Sequence, residues 1–461
     1  MTETGVRRLV ELEPRQWRDL FLLSAAGWTL ILILVHQGII AASSYFLTRL
    51  IEAFQAGADY RPYLFQYLLT MVLPYLPGCA SLLALQVWIN QAHRRFSARL
   101  PATIFGHTDK HSDNSLREAT EAAYSRNSFA ALKDYLTFLH QFATLALNSA
   151  LSIVVLALLL PANLLEGYTA SVLASITLIL LLRPGVHSLS TKTETALISY
   201  GEVLSQVWDN SVLGNRYNFD LWNSYREQLA SKYYRQSFKL QCLKQAGNIA
   251  LALISLLPTT YLIIGAVQSK SAEPILIAAI VVNLTRVFHI LNSLSGLVNQ
   301  ILDFSAMNAR IRVMMRPELR FCDPSPLPAK PRGEIYLNGT LIHEYKSVVE
   351  ILRGCSHGRF TIQGANGAGK STLLQVLKQA LSGDAILVPS HNGKLHWRAT
   401  GREKSTGERA VGQLLEISKH PDAKYLLLDE WDANLDSSNT NAINDVLETL
   451  SQDKVIVEIR H

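Results

Sequence analysis

Residues 20–48 run for 29 positions without one Asp, Glu, Lys or Arg. A helix needs about 20 apolar residues to cross the hydrocarbon of a bilayer. A core helix of a water-soluble domain is not this long and this free of charge, so the stretch restricts the possible folds more than any other. Charge-free runs also cover 62–92, 135–165, 167–182 and 245–269, and a last apolar stretch starts at Pro274 and continues past Arg286 towards Leu302. They predict a membrane domain over residues 1–316 with six helices at about 20–48, 62–92, 135–162, 164–183, 245–269 and 274–303. The turn around Pro161-Ala162-Asn163 divides the third helix from the fourth, and the fourth reaches sufficient length by continuing beyond Arg183, whose long side chain snorkels.

The positive residues set an orientation. Segments assigned to the inner side carry four (residues 1–19), seven (93–134) and eight (183–244) Lys and Arg, whereas the outer turns carry Arg49, Arg61 and Lys270. Cytoplasmic loops are enriched in these residues, so both the count and the six-helix arrangement favour a cytoplasmic N-terminus. The net charge of +6 is spread around apolar runs and points to membrane orientation, with no nucleic-acid partner. Arg7, Arg8, Arg15 and Arg18 lack the apolar core and cleavage site of a signal peptide after them, so the N-terminus is expected to be retained, with Trp17 at headgroup depth. Cys79, Cys242, Cys322 and Cys355 are far apart and suggest neither disulfides nor a zinc site.

The inner segments 115–133 and 192–245 contain few helix breakers and are expected to extend the membrane helices into the cytoplasm. In the sixth span Asn283, Arg286, His289 and Asn292 recur every third residue, on adjoining parts of one helical face. An ionisable group at this depth faces a wet cavity or a partner. Arg286 and His289 are therefore candidates to line a substrate cavity or to pair with another helix for packing. His36-Gln37 and His140-Gln141 read as satisfied interior polar pairs.

Five prolines between Pro317 and Arg332 mark a linker, and residues 333–461 form a second domain. Its centre is Gly364-Ala365-Asn366-Gly367-Ala368-Gly369-Lys370-Ser371-Thr372, which fits G-x-x-x-x-G-K-[ST] between a strand at 359–362 and a helix from Ser371. The glycines allow successive N–H groups to converge on a phosphate at a helix N-terminus. Lys370 would reach the β and γ phosphates and Ser371 would hold Mg²⁺; the other reading is an ordinary glycine-rich turn. Downstream, Tyr425-Leu426-Leu427-Leu428 reads as a buried strand, with Asp429 at its end placed to hold Mg²⁺ and Glu430 to orient or deprotonate the attacking water.

These residues resemble the ABC transporter family, and the whole chain resembles a half-transporter, six membrane helices fused to one nucleotide-binding domain. The expected fold is thus an all-α membrane domain plus an α/β P-loop NTPase domain. Asn434-Leu435-Asp436 is similar to the loop that follows the catalytic glutamate, and His461 to the switch histidine. Ser405-Thr406-Gly407-Glu408 resembles a degenerate signature motif, in which Ser405 and Gly407 would face the γ-phosphate held by a second subunit; a plain helix cap at Ser405 is the alternative. The resemblance implies Tyr345, or else Tyr336, as the ring that stacks on adenine.

Two features depart from the family pattern. Only 35 residues separate Lys370 from Ser405, so the helical subdomain is shortened, and Ser390 or His391 stands where a glutamine is usual. The resemblance implies ATP and Mg²⁺ as cofactors, a homodimer clamped around nucleotide in the cytoplasmic (inner) membrane, contact with membrane lipids, and export of a peptide or other amphipathic small molecule, as in bacterial peptide exporters. A nucleotide-controlled sensor or assembly factor with little turnover, or a peptide importer, are the competing expectations.

Overall fold

The computed structural model describes residues 18, 21–121, 123–124, 128–159, 162–268, parts of 293–321, 327–390, 395–398, 412–417, 423–432 and 437–460. The chain divides into two compact units, Met1–Leu100 with Glu121–Pro317, and Pro101–Thr120 with Glu318–His461. Residues 101–120 thus belong with the second unit, a grouping that the expected boundary at 317–332 does not include.

The first unit is built of the helices α1 (Ser24–Gln55), α2 (Arg61–Val72), most of α3 (Tyr75–Ile104), α5 (Ser128–Leu159), α6 (Ala162–Leu204), the short α7 (Val207–Val212) and α8 (Arg216–Gln268), while α4 (Asn114–Glu121) falls in the second unit except for its last residue. Helix α1 buries Ala25, Thr29, Ile33, Gln37, Ala41, Ser44 and Thr48, nearly every fourth residue. Small side chains on one stripe let backbones approach closely where lipid supplies no hydrophobic drive between helices. That stripe belongs to a helix packed on α2 and α5, while α6 and α8 pair with each other. On its other faces α1 exposes Trp28, Leu30, Ile31, Leu34 and Val35. Such a surface suits hydrocarbon and not water.

Among the described residues four helices are long and apolar enough to cross a membrane: Ser24–Gln55, Arg61–Ile104, Ser128–Val155 and Leu173–Leu204. The second is interrupted at Leu73-Pro74, between α2 and α3, because a proline has no N–H to continue the ladder. Pro184, by contrast, lies inside α6, which passes Arg183 without a break. The expected fifth span forms the end of α8, and most of the sixth lies outside the described residues. Polar groups in this unit bond across helices. The Trp88 indole donates to the Phe21 carbonyl (2.9 Å), the Asn148 amide to Ser293 Oγ (2.8 Å) and the Gln300 amide to Gln141 Oε1 (3.1 Å), and Lys244 pairs with Asp303. Each such bond spares a polar atom from hydrocarbon.

The second unit holds a six-stranded sheet of β1 (Ile335–Leu337), β2 (Thr340–Leu341), β3 (Gly358–Gly364), β4 (Ala385–Val388), β5 (Tyr425–Asp429) and β6 (Val455–Ile459), in the order β2-β1-β3-β6-β5-β4. Strands β3, β6, β5 and β4 are parallel, and β1 is antiparallel to both its neighbours. Tyr425 to Leu428 and Val455 to Ile459 are buried throughout, as expected for parallel strands covered on both faces. Helices α9 (Tyr345–Arg353), α10 (Lys370–Leu381) and α11 (Ser437–Leu450) complete the fold, with Leu352, Leu373, Leu377, Leu427 and Val457 in the main core.

One charge sits inside this sheet. Glu458 on β6 is 1% exposed and accepts bonds from Arg359 Nε (3.0 Å), Arg359 Nη2 (3.0 Å), Thr361 Oγ1 (3.2 Å), Trp431 Nε1 (3.0 Å) and Arg460 Nε (3.1 Å). Burial alone would raise its carboxyl, but Arg359 and the other donors hold it below the ordinary value of 4.5. A pKa depressed by folding stabilises the fold fully above the unfolded value, and the contribution is lost as pH falls through the folded value.

Two outcomes are expected. Arg359→Met, which removes two of the donors and leaves Arg460 as the cation beside the carboxylate, should destabilise the unit by up to about 3–5 kcal/mol, seen as a lower melting midpoint of the detergent-solubilised chain. The stability gap between the native chain and Glu458→Gln should narrow as pH drops from 4.5 through the folded value; a gap independent of pH would contradict this assignment.

Candidate functional site

Strand β3 ends at Gly364 and α10 begins at Lys370, so residues 365–369 form the connection. Two of its glycines are required by geometry. A Cβ on Gly364 would stand 2.7 Å from the Glu334 carbonyl, and Gly369 has φ +108° with a Cβ position only 2.3 Å from the Tyr345 hydroxyl. Gly367 also lies in the left-handed region at φ +79°. The loop is tied from below: Arg332 N–H (3.0 Å) and Gly333 N–H (3.2 Å) donate to the Ala368 carbonyl, and the Tyr345 hydroxyl donates to the Gly369 carbonyl (3.0 Å). Ala365, Asn366 and Gly367 remain exposed at the tip, and Thr372 is half-buried in the first turn of α10.

Lys370 Nζ donates to the Gly364 carbonyl at 2.8 Å, which folds the ammonium over the loop. Ser371 donates to Asp429 Oδ1 at 3.1 Å, so the hydroxyl after the loop and the carboxylate ending β5 meet across the sheet edge. Glu430 follows with φ +45°, a rare conformation for a residue with a side chain, fixed by its N–H bond to the Ile459 carbonyl (3.0 Å). The turn redirects the chain at once, and the next side chain, Trp431, is anchored on Glu458.

Burial raises the Asp429 carboxyl, and neighbouring Glu430 adds to this, while the Ser371 hydroxyl, His111 and Lys370 act in the opposite sense. Ser371 and Asp429 offer hard oxygen donors side by side, which fits Mg²⁺. Among the described residues no group of three or more His, Cys, Asp or Glu is placed to hold a metal by itself. Mg²⁺ ordinarily completes its octahedron with water and substrate phosphates, so a two-residue donor set beside a phosphate loop is sufficient.

The geometry corrects one expectation. Tyr345 is 2% exposed, and with its hydroxyl under Gly369 it has no free face for a base; it is a strut of the loop. Tyr336 is half-buried on β1 and its hydroxyl donates to Glu334 (2.8 Å). Ser405, Gly407, His461, Arg286, His289, Asn434-Leu435-Asp436 and His391 lie outside the described residues.

The structure also adds residues to the site. After α3 the chain makes a 3₁₀ turn at Thr108–Lys110, and Ser112 accepts a bond from Gln375 Nε2 (2.6 Å) on the buried face of α10. Asp113 caps α4 by accepting from Leu116 N–H (2.9 Å) and binds Arg320 (2.9 Å). No local pattern announces a contact between residues 263 apart in sequence.

No family model matches the chain, and no curated protein does. Among solved structures it is similar to a bacterial Atm1-family ABC exporter with ATP bound, at a TM-score of 0.63 and 14% identity, over 100% of this chain and 92% of that one. From end to end, this chain therefore has the fold of an ABC exporter.

Proposed function

We propose that the chain is an ATP-driven exporter, a half-transporter of six membrane helices that works as a homodimer in the cytoplasmic membrane with its nucleotide-binding domain in the cytoplasm. The observation that carries this is the approach of Ser371 to Asp429 beside Lys370, on a loop that only glycine geometry permits. In this reading the loop N–H groups and Lys370 bind the phosphates of ATP, and Ser371 and Asp429 hold Mg²⁺. The ion would neutralise charge on the transferred phosphoryl group. Glu430 positions or deprotonates the attacking water. His461 would assist it, Ser405 and Gly407 would close the site from the second subunit, and Arg286 and His289 would face the transported molecule. The transported molecule is proposed to be a peptide or other amphipathic small molecule.

The bond from Gln375 to Ser112 supports coupling to transport, because Gln375 is one helical turn from Ser371 on α10. A segment that follows membrane helix α3 in the chain is thereby fixed to the helix that starts at the phosphates. A sensor with little turnover would not need this link to be matched to hydrolysis.

Three results test the reading. Lys370→Ala should abolish vanadate-sensitive ATPase of the reconstituted chain. Glu430→Gln should lower turnover by about 100-fold or more while retaining ATP binding, and equal low activity in both native and Glu430→Gln chains would rule out a pump. Tyr345→Phe removes one hydrogen bond under the loop, worth about 1 kcal/mol, and should weaken ATP binding severalfold; unchanged affinity would remove the strut role.

A further inference from the structure

Between α1, α2, α3 and α5 lies a cavity of about 530 Å³ lined by His36, Ser43, Thr70, Ser81, His140 and Thr144 among others, with no Asp, Glu, Lys or Arg in its wall. The volume falls in the range that holds small organic ligands. The serine and threonine hydroxyl protons are already used. Ser43 donates to the Ile40 carbonyl, Thr70 to Tyr67, Ser81 to Gly78 and Thr144 to His140. Besides the Tyr75 hydroxyl, which is largely exposed at the rim, hydrogen-bond donation into the cavity is left to the two imidazoles, while the hydroxyl oxygens can still accept.

Their tautomers follow from these partners. Gln37 Nε2 can only donate, so the Nδ1 of His36 that it meets at 3.2 Å accepts, and the neutral ring carries its proton on Nε2. That Nε2 lies against Gly78, where a Cβ would stand 3.2 Å away. Ser81 has spent its proton on the Gly78 carbonyl, so His140 Nε2, 3.3 Å from Ser81 Oγ, is the donor and its Nδ1 keeps a lone pair. The rings flank one turn of α3, one with an N–H and the other with a lone pair. Two imidazoles without a third donor group make a poor metal cage, and none is found among the described residues. Met71 and Leu82, both more than half exposed, give the cavity an apolar rim.

We propose that this cavity binds an uncharged amphipath through an amide, the group that carries a donor and an acceptor on separate atoms, as in a short apolar peptide with blocked ends. The proposal deepens the exporter reading and rests on it for the placement of these helices in a bilayer. Charged ends would enter a wall with no counter-charge, so they are excluded by desolvation.

The test uses the full chain in phospholipid nanodiscs, without nucleotide, and tritiated acetyl-trileucine-amide as probe. His36→Phe and His140→Phe should each weaken probe binding about five- to tenfold, the loss of roughly one hydrogen bond, while a fluorescent ATP analogue binds as before. Trileucine with free ends should bind at least about tenfold more weakly. In the native chain the blocked probe should also slow maleimide labelling of Cys79, an exposed thiol in the cavity wall, followed by mass spectrometry. Equal binding of blocked and free peptides, a double His variant that binds like the native chain, or Cys79 labelling untouched by the probe would each overturn the proposal. Because the probe-binding and labelling measurements contain no nucleotide, they stand apart from the Lys370→Ala and Glu430→Gln results, which test the exporter reading.

Discussion

The second unit depends on the register of one strand. Ile459 of β6 pairs with Ile362 of β3 on one side and with Asp429 of β5 on the other. A single strand therefore separates the start of the glycine-rich loop from the acidic strand end, close enough for Ser371 to reach Asp429. A slip of one residue would turn every side chain of β6 to the opposite face. Glu458 prevents it, because the residue opposite is Thr361 and the next on that face of β3 is Arg359, and both bond to the carboxylate. Hydrophobic burial cannot choose between registers of an all-apolar strand. A buried charge with matched donors can, at the cost of desolvation.

The membrane unit solves a different problem with the same economy of polar groups. Its helices expose apolar side chains outward, so the interior must be ordered by close approach and by the few hydrogen bonds available. The small-residue stripe of α1 provides the first, and Trp88, Asn148 and Gln300 provide the second. Gln37 belongs to both: it sits on the buried stripe at 4% exposure and orients the His36 ring through its amide.

Much of this was legible in the sequence, and the limits have physical causes. The glycine-rich strand-to-helix loop at 364–372 was readable because its demands are local: glycines where a Cβ cannot fit, and a Lys-Ser pair at the helix start. The long apolar helices were readable because lipid enforces length and the absence of charge. Prolines were less so. Pro74 stands between two helices whereas Pro184 stands within one, and the sequence around each gives no rule for which will occur. Tyr345 lies at a plausible distance upstream of Lys370 for an adenine platform, yet burial and a bond to Gly369 make it a strut. Spacing along a chain cannot distinguish an exposed ring from a buried one. The Arg359–Glu458 pair and the Gln375–Ser112 bond were likewise invisible, since each joins positions about 100 or more residues apart.

That last bond bears on how the residues around Lys370 are tied to the segment that follows α3. Helix α10 is 12 residues long, starts with the lysine and serine of the loop, and carries Gln375 one turn further on its buried face. A helix this short transmits displacement as a rigid rod, because its hydrogen-bond ladder resists both bending and stretching. Any shift of Ser112 therefore acts on α10 and Ser371 through the Gln375 side chain, which is held at 5% exposure. His111, adjacent in sequence to Ser112, acts on the Asp429 carboxyl in the sense opposite to burial, so the same segment bears on the site both mechanically and electrostatically.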